Sequence, residues 1–172
     1  AMVRDGRFAE DKIRAILLSG PMPARNPDQN LADLRAQAAA NAKGVAELRR
    51  VCGLYGQDTV VAYMNYVQEH AEEAVRRVIS RLKSGHFRCP MDDGGHVVVK
   101  VTVNQASRSA VIDFTGTADQ RPNNFNAPAS ICRAAVLYVF RTLVAEDIPM
   151  NEGCMRPLRL IVPEGSMLNP RL

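Results

Sequence analysis

Val97-Val98-Val99-Lys100-Val101-Thr102-Val103-Asn104 is the stretch at which this 172-residue chain changes period. Val97, Val99, Val101 and Val103 fall on one side and Val98, Lys100, Thr102 and Asn104 on the other. That two-residue repeat is the signature of a half-buried strand. Upstream of Ser84-Gly85 the pattern is different. Leu31, Leu34, Ala38, Asn41, Val45, Leu48 and Cys52 recur at alternating steps of three and four, and Val60, Met64, Val67, Ala71, Ala74, Val78 and Leu82 recur at steps of three or four. Each set forms one seam along a long helix.

The first long helix has a clear start. Asn26 suits the N-cap, Pro27 the first helical position, and Asp28 the positive end of the helix dipole. Gly53 and Gly56 weaken its end and Gln57-Asp58 opens the second helix, so the short link predicts an antiparallel helical hairpin over residues 26–82. Ahead of it, Phe8, Ile13, Ile16 and Leu17 predict a short helix over Arg7–Leu18, stopped by Ser19-Gly20-Pro21. Pro21 to Arg25 reads as a stiff extended connector.

Beyond the valine strand, a turn at Gln105–Ser109 leads to a second strand in which Ala110, Ile112 and Phe114 alternate with Val111, Asp113 and Thr115. Phe87–Met91 supplies a preceding strand, with Asp92-Asp93-Gly94-Gly95 as the turn between. Thr115–Pro128 is a polar loop. Ser130–Leu143 is a helix apolar on most sides, which predicts burial. Ile148–Pro157 reads as irregular, Leu158–Val162 as a strand and Pro163–Ser166 as a turn. The expected fold is therefore α+β, with a long antiparallel helical hairpin, a small antiparallel sheet and a buried helix. Residues 1–172 read as a single unit, divided into the hairpin and an α/β portion over 86–172.

Composition narrows the possible functions. No run of about 18 uncharged apolar residues occurs, so no membrane span is expected. The net charge is +4, but Glu69, Glu72, Glu73, Arg76 and Arg77 interleave along one helix, and the chain has no Trp and only 5% aromatic residues. A solvated helix face explains the charge better than a nucleic-acid track. Cys52, Cys89, Cys132 and Cys154 form no C-x-x-C pair and read as reduced thiols of a cytoplasmic protein. The N-terminus has no apolar signal core. Ala1-Met2 reads as a tag remnant, and the ending Asn169-Pro170-Arg171-Leu172 reads as cut from something longer.

Chemistry-bearing motifs are few. His86, Cys89 and His96 are zinc-ligand types near one turn, but their spacing matches no paired-ligand motif, so no metal site is expected. There is no phosphate loop, no dinucleotide fingerprint and no nucleophile elbow. Asn123-Asn124-Phe125-Asn126-Ala127-Pro128 is the one loop with a functional reading. Asn126 would cap the following helix, and Asn124 and Asn126 at its positive end would suit a substrate carboxylate or phosphate. Local chemistry alone favours the plain cap.

Several runs resemble, in order, the hydantoinase B/oxoprolinase family. They are Asn26-Pro27-Asp28-Gln29-Asn30-Leu31, Val111-Ile112-Asp113-Phe114-Thr115-Gly116-Thr117, and Asn124-Phe125-Asn126-Ala127-Pro128. Arg133–Arg141, Asp147–Cys154 and Pro163–Pro170 continue the resemblance. Arg7-Phe8 and Asn26–Asn30 lean toward the 5-oxoprolinase branch rather than acetone carboxylase or N-methylhydantoinase. The resemblance implies a fragment of an ATP-dependent cyclic-amide hydrolase, opening 5-oxoproline to glutamate or a hydantoin-type ring. It also implies ATP and Mg for the whole enzyme with none held by this fragment, an A-type half as partner, and an oligomer. Catalytic residues are not assignable, and the segment alone is expected to be inactive. The alternative is a non-catalytic assembly module whose long helices dock the parts of the same enzyme. The first reading points to the Asn loop and to Asn151–Cys154, the second to the helix seams.

Overall fold

The computed structural model describes residues 1–21 and 23–171 and divides into two compact units, Ala1–Val61 and Ala62–Leu172. The connector expected at 21–25 contains Met22, which lies outside the described residues.

In the first unit, β1 (Val3–Arg4) and β2 (Arg7–Phe8) pair antiparallel around Asp5 and Gly6, both at positive φ. The helix expected from Arg7 therefore starts later, as α1 (Glu10–Leu17), because Arg7 and Phe8 are held in the hairpin. The second helix, α2 (Pro27–Tyr55), begins where the sequence places it. Asn26 Oδ1 accepts the Gln29 N–H at 3.2 Å, and Pro27 occupies the first turn. Ile13 of α1 and Leu31 of α2 are the buried apolar residues of these helices, with Arg14 reaching Asp28 at 2.6 Å and Arg35 lying over the Phe8 ring. The helix α2 stops at Gly56, whose φ of 84° suits glycine and whose N–H bonds the Cys52 carbonyl at 2.9 Å.

Helix α3 (Gln57–Ile79) follows at once, three residues shorter than the pattern to Leu82 suggests. The expected seam residues are buried only in part: Leu31, Ala71 and Ala74 are buried, while others are not. Val45 and Leu48 of α2 are 51% and 45% exposed, and Met64 and Val67 of α3 are 48% and 41% exposed. Helical period located the apolar stripes, but a stripe does not say which surface covers it.

The second unit has the larger core. Strands β3 (Gly85–Pro90), β4 (His96–Asn104), β5 (Ser109–Asp113) and β6 (Leu158–Ile161) form one sheet in that order. The first three pair antiparallel, with Phe87 opposite Val99 and Val101 opposite Ile112, while β6 runs parallel to β5. The sheet is thus mixed, not purely antiparallel. The chain leaves β5 and returns through a long crossover carrying α4 (Ala129–Leu143), and a connection of that kind delivers a parallel strand. Strand β5 ends at Asp113, whose Oδ1 accepts the Thr115 N–H at 2.9 Å and turns the chain away.

Ala71, Ala74, Val75 and Ile79 of α3 share the core with Ala110, Ile112, Phe114, Cys132, Val136 and Phe140. Burial pushes the Cys132 thiol up from its ordinary pKa. Helix α4 is covered on one face only. Ile131, Tyr138, Val139 and Leu143 are exposed, so the burial expected from its composition holds for half of it. The segment read as irregular contains a 3-10 turn, Glu152–Met155, set directly against α3. A Cβ on Gly153 would stand 2.0 Å from the Gln68 carbonyl oxygen, so only glycine permits that approach. Polar ties lock α3 to its surroundings. Arg108 holds Glu73 in a fork at 2.6 and 3.0 Å, and Arg156 reaches Gln68 at 2.7 Å. Among the described residues no helix is long and apolar enough to cross a membrane.

Candidate functional site

Three loops of the second unit meet at one end of the sheet. They are the β3–β4 turn, the polar loop after β5, and the segment 163–171 after β6. The polar loop is fixed first by Thr117, a buried hydroxyl that accepts the Val98 N–H at 3.0 Å and donates to the Val98 carbonyl at 3.1 Å. Ala118 N–H bonds the His96 carbonyl at 2.9 Å, so the loop continues along β4. Gly116 adopts a φ of 92° against the Val98 side chain, which explains a glycine between the two threonines. The C-terminal segment ties in through Met167 N–H to the Ala118 carbonyl at 3.0 Å, Ala127 N–H to the Met167 carbonyl at 2.7 Å, and Gln120 N–H to the Gly165 carbonyl at 2.8 Å.

These ties enclose an open cleft of about 480 Å³, lined among others by His96, Gly116, Asp119 and Arg121. His96 Nε2 lies 3.0 Å from the Gly116 carbonyl oxygen, which accepts when that nitrogen carries the proton. Arg121 Nη2 donates to the Asp93 carbonyl at 2.6 Å and lies 3.2 Å from its carboxylate. Asp93 Oδ1 also accepts the Gly95 N–H at 2.9 Å. That backbone bond, helped by the Arg121 charge, holds the Asp93 carboxyl below its usual pKa. Among the described residues only Nη2 of Arg121 is so engaged, which leaves Nη1 and Nε for another acceptor.

The structure corrects the role given to Asn126. The N-cap of α4 is Pro128, with no side-chain cap bond. Asn126 Oδ1 instead accepts the Arg121 N–H at 2.8 Å, while Nδ2 donates to the Arg121 and Asn123 carbonyls at 2.7 and 2.9 Å. Its amide clasps both backbone groups of Arg121, a residue that lines the cleft. The cap prediction failed because the helix begins only at Ala129, after an extended Pro128, two residues beyond the start that an Asn126 cap requires. Asn124 is exposed and is not among the cleft-lining residues. Asn151 is a local tie, with Oδ1 accepting the Gly153 N–H at 2.8 Å; Gly153 and Cys154 are buried against α3 rather than presented to a ligand.

His86, Cys89 and His96 do not converge, since His86 pairs with Lys100 and His96 with Pro90, at opposite ends of the β3–β4 ladder. Among the described residues no group of three His, Cys, Asp or Glu side chains could hold a metal ion. The cleft likewise does not fit a triphosphate. Asp119 lines it, its single Arg is already paired with Asp93, and a polyphosphate needs several cations or a cradle of backbone N–H groups. Arg121, Asp93 and Thr117 escaped the sequence reading. The available signal was glycine at two bends, Gly94-Gly95 and Gly116, flanking the β4–β5 pair.

An α+β unit whose sheet-end loops close on a polar cleft is the class of module defined by this arrangement. The family model for hydantoinase B/oxoprolinase matches residues 1–172, and the chain belongs to that family. The 5-oxoprolinase PfmaA of Pestalotiopsis fici is 40% identical over 98% of this chain and 14% of its own length. The 5-oxoprolinase of Dictyostelium discoideum is 36% identical over the same shares. The chain thus spans about a seventh of these relatives. Among solved structures, the ATP-dependent caprolactamase from Pseudomonas jessenii shares the fold with a TM-score of 0.70 and 21% identity, over 97% of this chain and 29% of that one.

Proposed function

We propose that this chain serves as a segment of an ATP-coupled cyclic-amide hydrolase of the 5-oxoprolinase kind, converting 5-oxo-L-proline to L-glutamate. The observation that carries the reading is 40% identity to a 5-oxoprolinase across 98% of the chain. In this reading the cleft takes the carboxylate that 5-oxoproline carries beside its ring amide, on the free edge of Arg121. Asn126 is the positioning residue that orients Arg121. Asn124, at the mouth of the same loop, contacts substrate only if the loop closes over it. ATP and Mg bind in another part of the longer protein, an A-type half or subunit, because the residues here do not fit phosphates. The free cysteines support a reducing, cytoplasmic setting.

The test is kinetic. In the full-length protein, Arg121→Ala is expected to raise KM for 5-oxoproline at least about tenfold, the weight of one charge-assisted contact. KM for ATP should stay unchanged. An unaltered KM for 5-oxoproline would remove the cleft from substrate binding.

A second reading concerns assembly. The exposed seam residues Val45, Leu48, Met64 and Val67 support a docking role for the long helices, within an oligomer or against the A-type half. It assigns different residues from the cleft and is compatible with it.

A further inference from the structure

Strand β3 stands at the edge of the four-stranded sheet, and all six of its residues are exposed. Beside it lies a groove of about 330 Å³, lined by Leu82, Phe87, Val99, Val101, Val139 and Leu143. Phe87 is 65% exposed, Val139 52% and Leu143 48%. An open edge flanked by an apolar trough is the template for a further strand, whose alternate side chains fill the trough while its backbone pairs with the edge. Arg88 and Pro90 blunt the far end of β3, but the half around Phe87 carries no such protection.

We propose that an extended segment of the same longer polypeptide completes this sheet at β3, placing apolar side chains at alternate positions into the Phe87–Val139–Leu143 groove. The inference rests on the reading of this chain as part of a longer enzyme. The occupant follows from chain length. The fold is kept over 97% of this chain by a protein of which it covers only 29%, and it covers only 14% of the 5-oxoprolinase relatives, which are about seven times as long. A second copy of this chain fits the edge worse. Two-fold pairing through β3 brings the two Arg88 side chains close together, and a six-residue strand buries less than the ~1,200 Å² of a stable interface.

Hydrogen–deuterium exchange tests this without reference to catalysis. Those amides of His86–Cys89 that point away from β4 are expected to exchange at least tenfold more slowly in the full-length protein than in the 172-residue chain. In the short chain they should exchange at a rate independent of protein concentration. Val139→Lys, at an exposed position, should leave the unfolding midpoint of the short chain unchanged yet return those amides to fast exchange in the full-length protein. Equal exchange in both forms would show that the edge stays open and would overturn the proposal. Protection that grows with concentration in the short chain, together with a dimer in ultracentrifugation, would assign the edge to a second copy and overturn it too. Because no turnover is measured, failure of the hydrolase reading would appear in the kinetics and not here.

Discussion

Gly153→Ala is expected to be the most damaging single-methyl change in the second unit. The added Cβ would lie 2.0 Å from the Gln68 carbonyl oxygen, 2.7 Å from its carbon and 2.8 Å from Asn151 Oδ1. The first two atoms are helix backbone and cannot swing aside as a side-chain tip could. The 3-10 turn must therefore retreat by about 1 Å, beyond what overpacked cores absorb without loss. That retreat uncovers Cys154 and Met155, now 0% and 4% exposed, and breaks the Asn151 bond to Gly153 N–H. Overpacking costs roughly 1–3 kcal/mol and partial loss of two buried side chains adds to it, so a destabilisation of about 3 kcal/mol or more is expected. For a chain of this length that corresponds to a fall of roughly 6–12 °C in unfolding midpoint. Gly44→Ala is the control, because nothing lies within 4 Å of its Cβ position in the middle of α2. It should stabilise by about 0.5–1 kcal/mol through helix propensity. Circular dichroism melts of both variants decide the matter. A Gly153→Ala midpoint within a degree of the parent, with Gly44→Ala behaving as stated, would refute the backbone contact.

Asn126→Ala strips three bonds from the Arg121 loop and should cost roughly 1–3 kcal/mol in urea unfolding, while Asn124→Ala, on exposed loop, should cost less than about 0.5. Asn26→Ala removes the α2 cap and should lose about 0.5–2 kcal/mol. Asp93, Asp113 and Glu73 all titrate below their ordinary values when folded, held down chiefly by Gly95 N–H, Thr115 and Arg108 respectively. Their stabilisation is present above the unfolded pKa of about 4 and is lost as pH falls through the lower folded values, so the melting midpoint should decline below roughly pH 4. A midpoint rising on acidification would contradict these assignments.

Period carried most of the secondary structure. The valine alternation located β4, the capping sequence Asn26-Pro27 started α2 at the right residue, and Gly56 ended it. What period does not encode is which surface meets a stripe. Val45, Leu48, Ile131 and Val139 were legible as apolar and not as exposed, because exposure depends on what else is present to cover them. The parallel placement of β6 was hidden for a similar reason, since a four-residue strand takes its partner from the crossover that delivers it. At the cleft, the Asn loop drew attention for its amides, and that of Asn126 clasps the Arg121 backbone. A clasp within a loop, such as that of Asn126 on Arg121 five positions away, has no sequence period, and neither does the meeting of Asp93 with Arg121 across 28 positions. The family resemblance was legible in ordered motifs and matches the full chain.

The proposal that most needs testing is that this segment works within an ATP-coupled cyclic-amide hydrolase whose nucleotide is handled elsewhere in the longer protein. Release of glutamate and phosphate from 5-oxoproline and Mg-ATP measures it directly, with the full-length protein and the 172-residue chain assayed side by side. The account predicts coupled release by the full-length protein, and neither turnover nor calorimetric ATP binding by the short chain. Turnover by the rigorously purified short chain, or none by the full-length protein on 5-oxoproline, would contradict it.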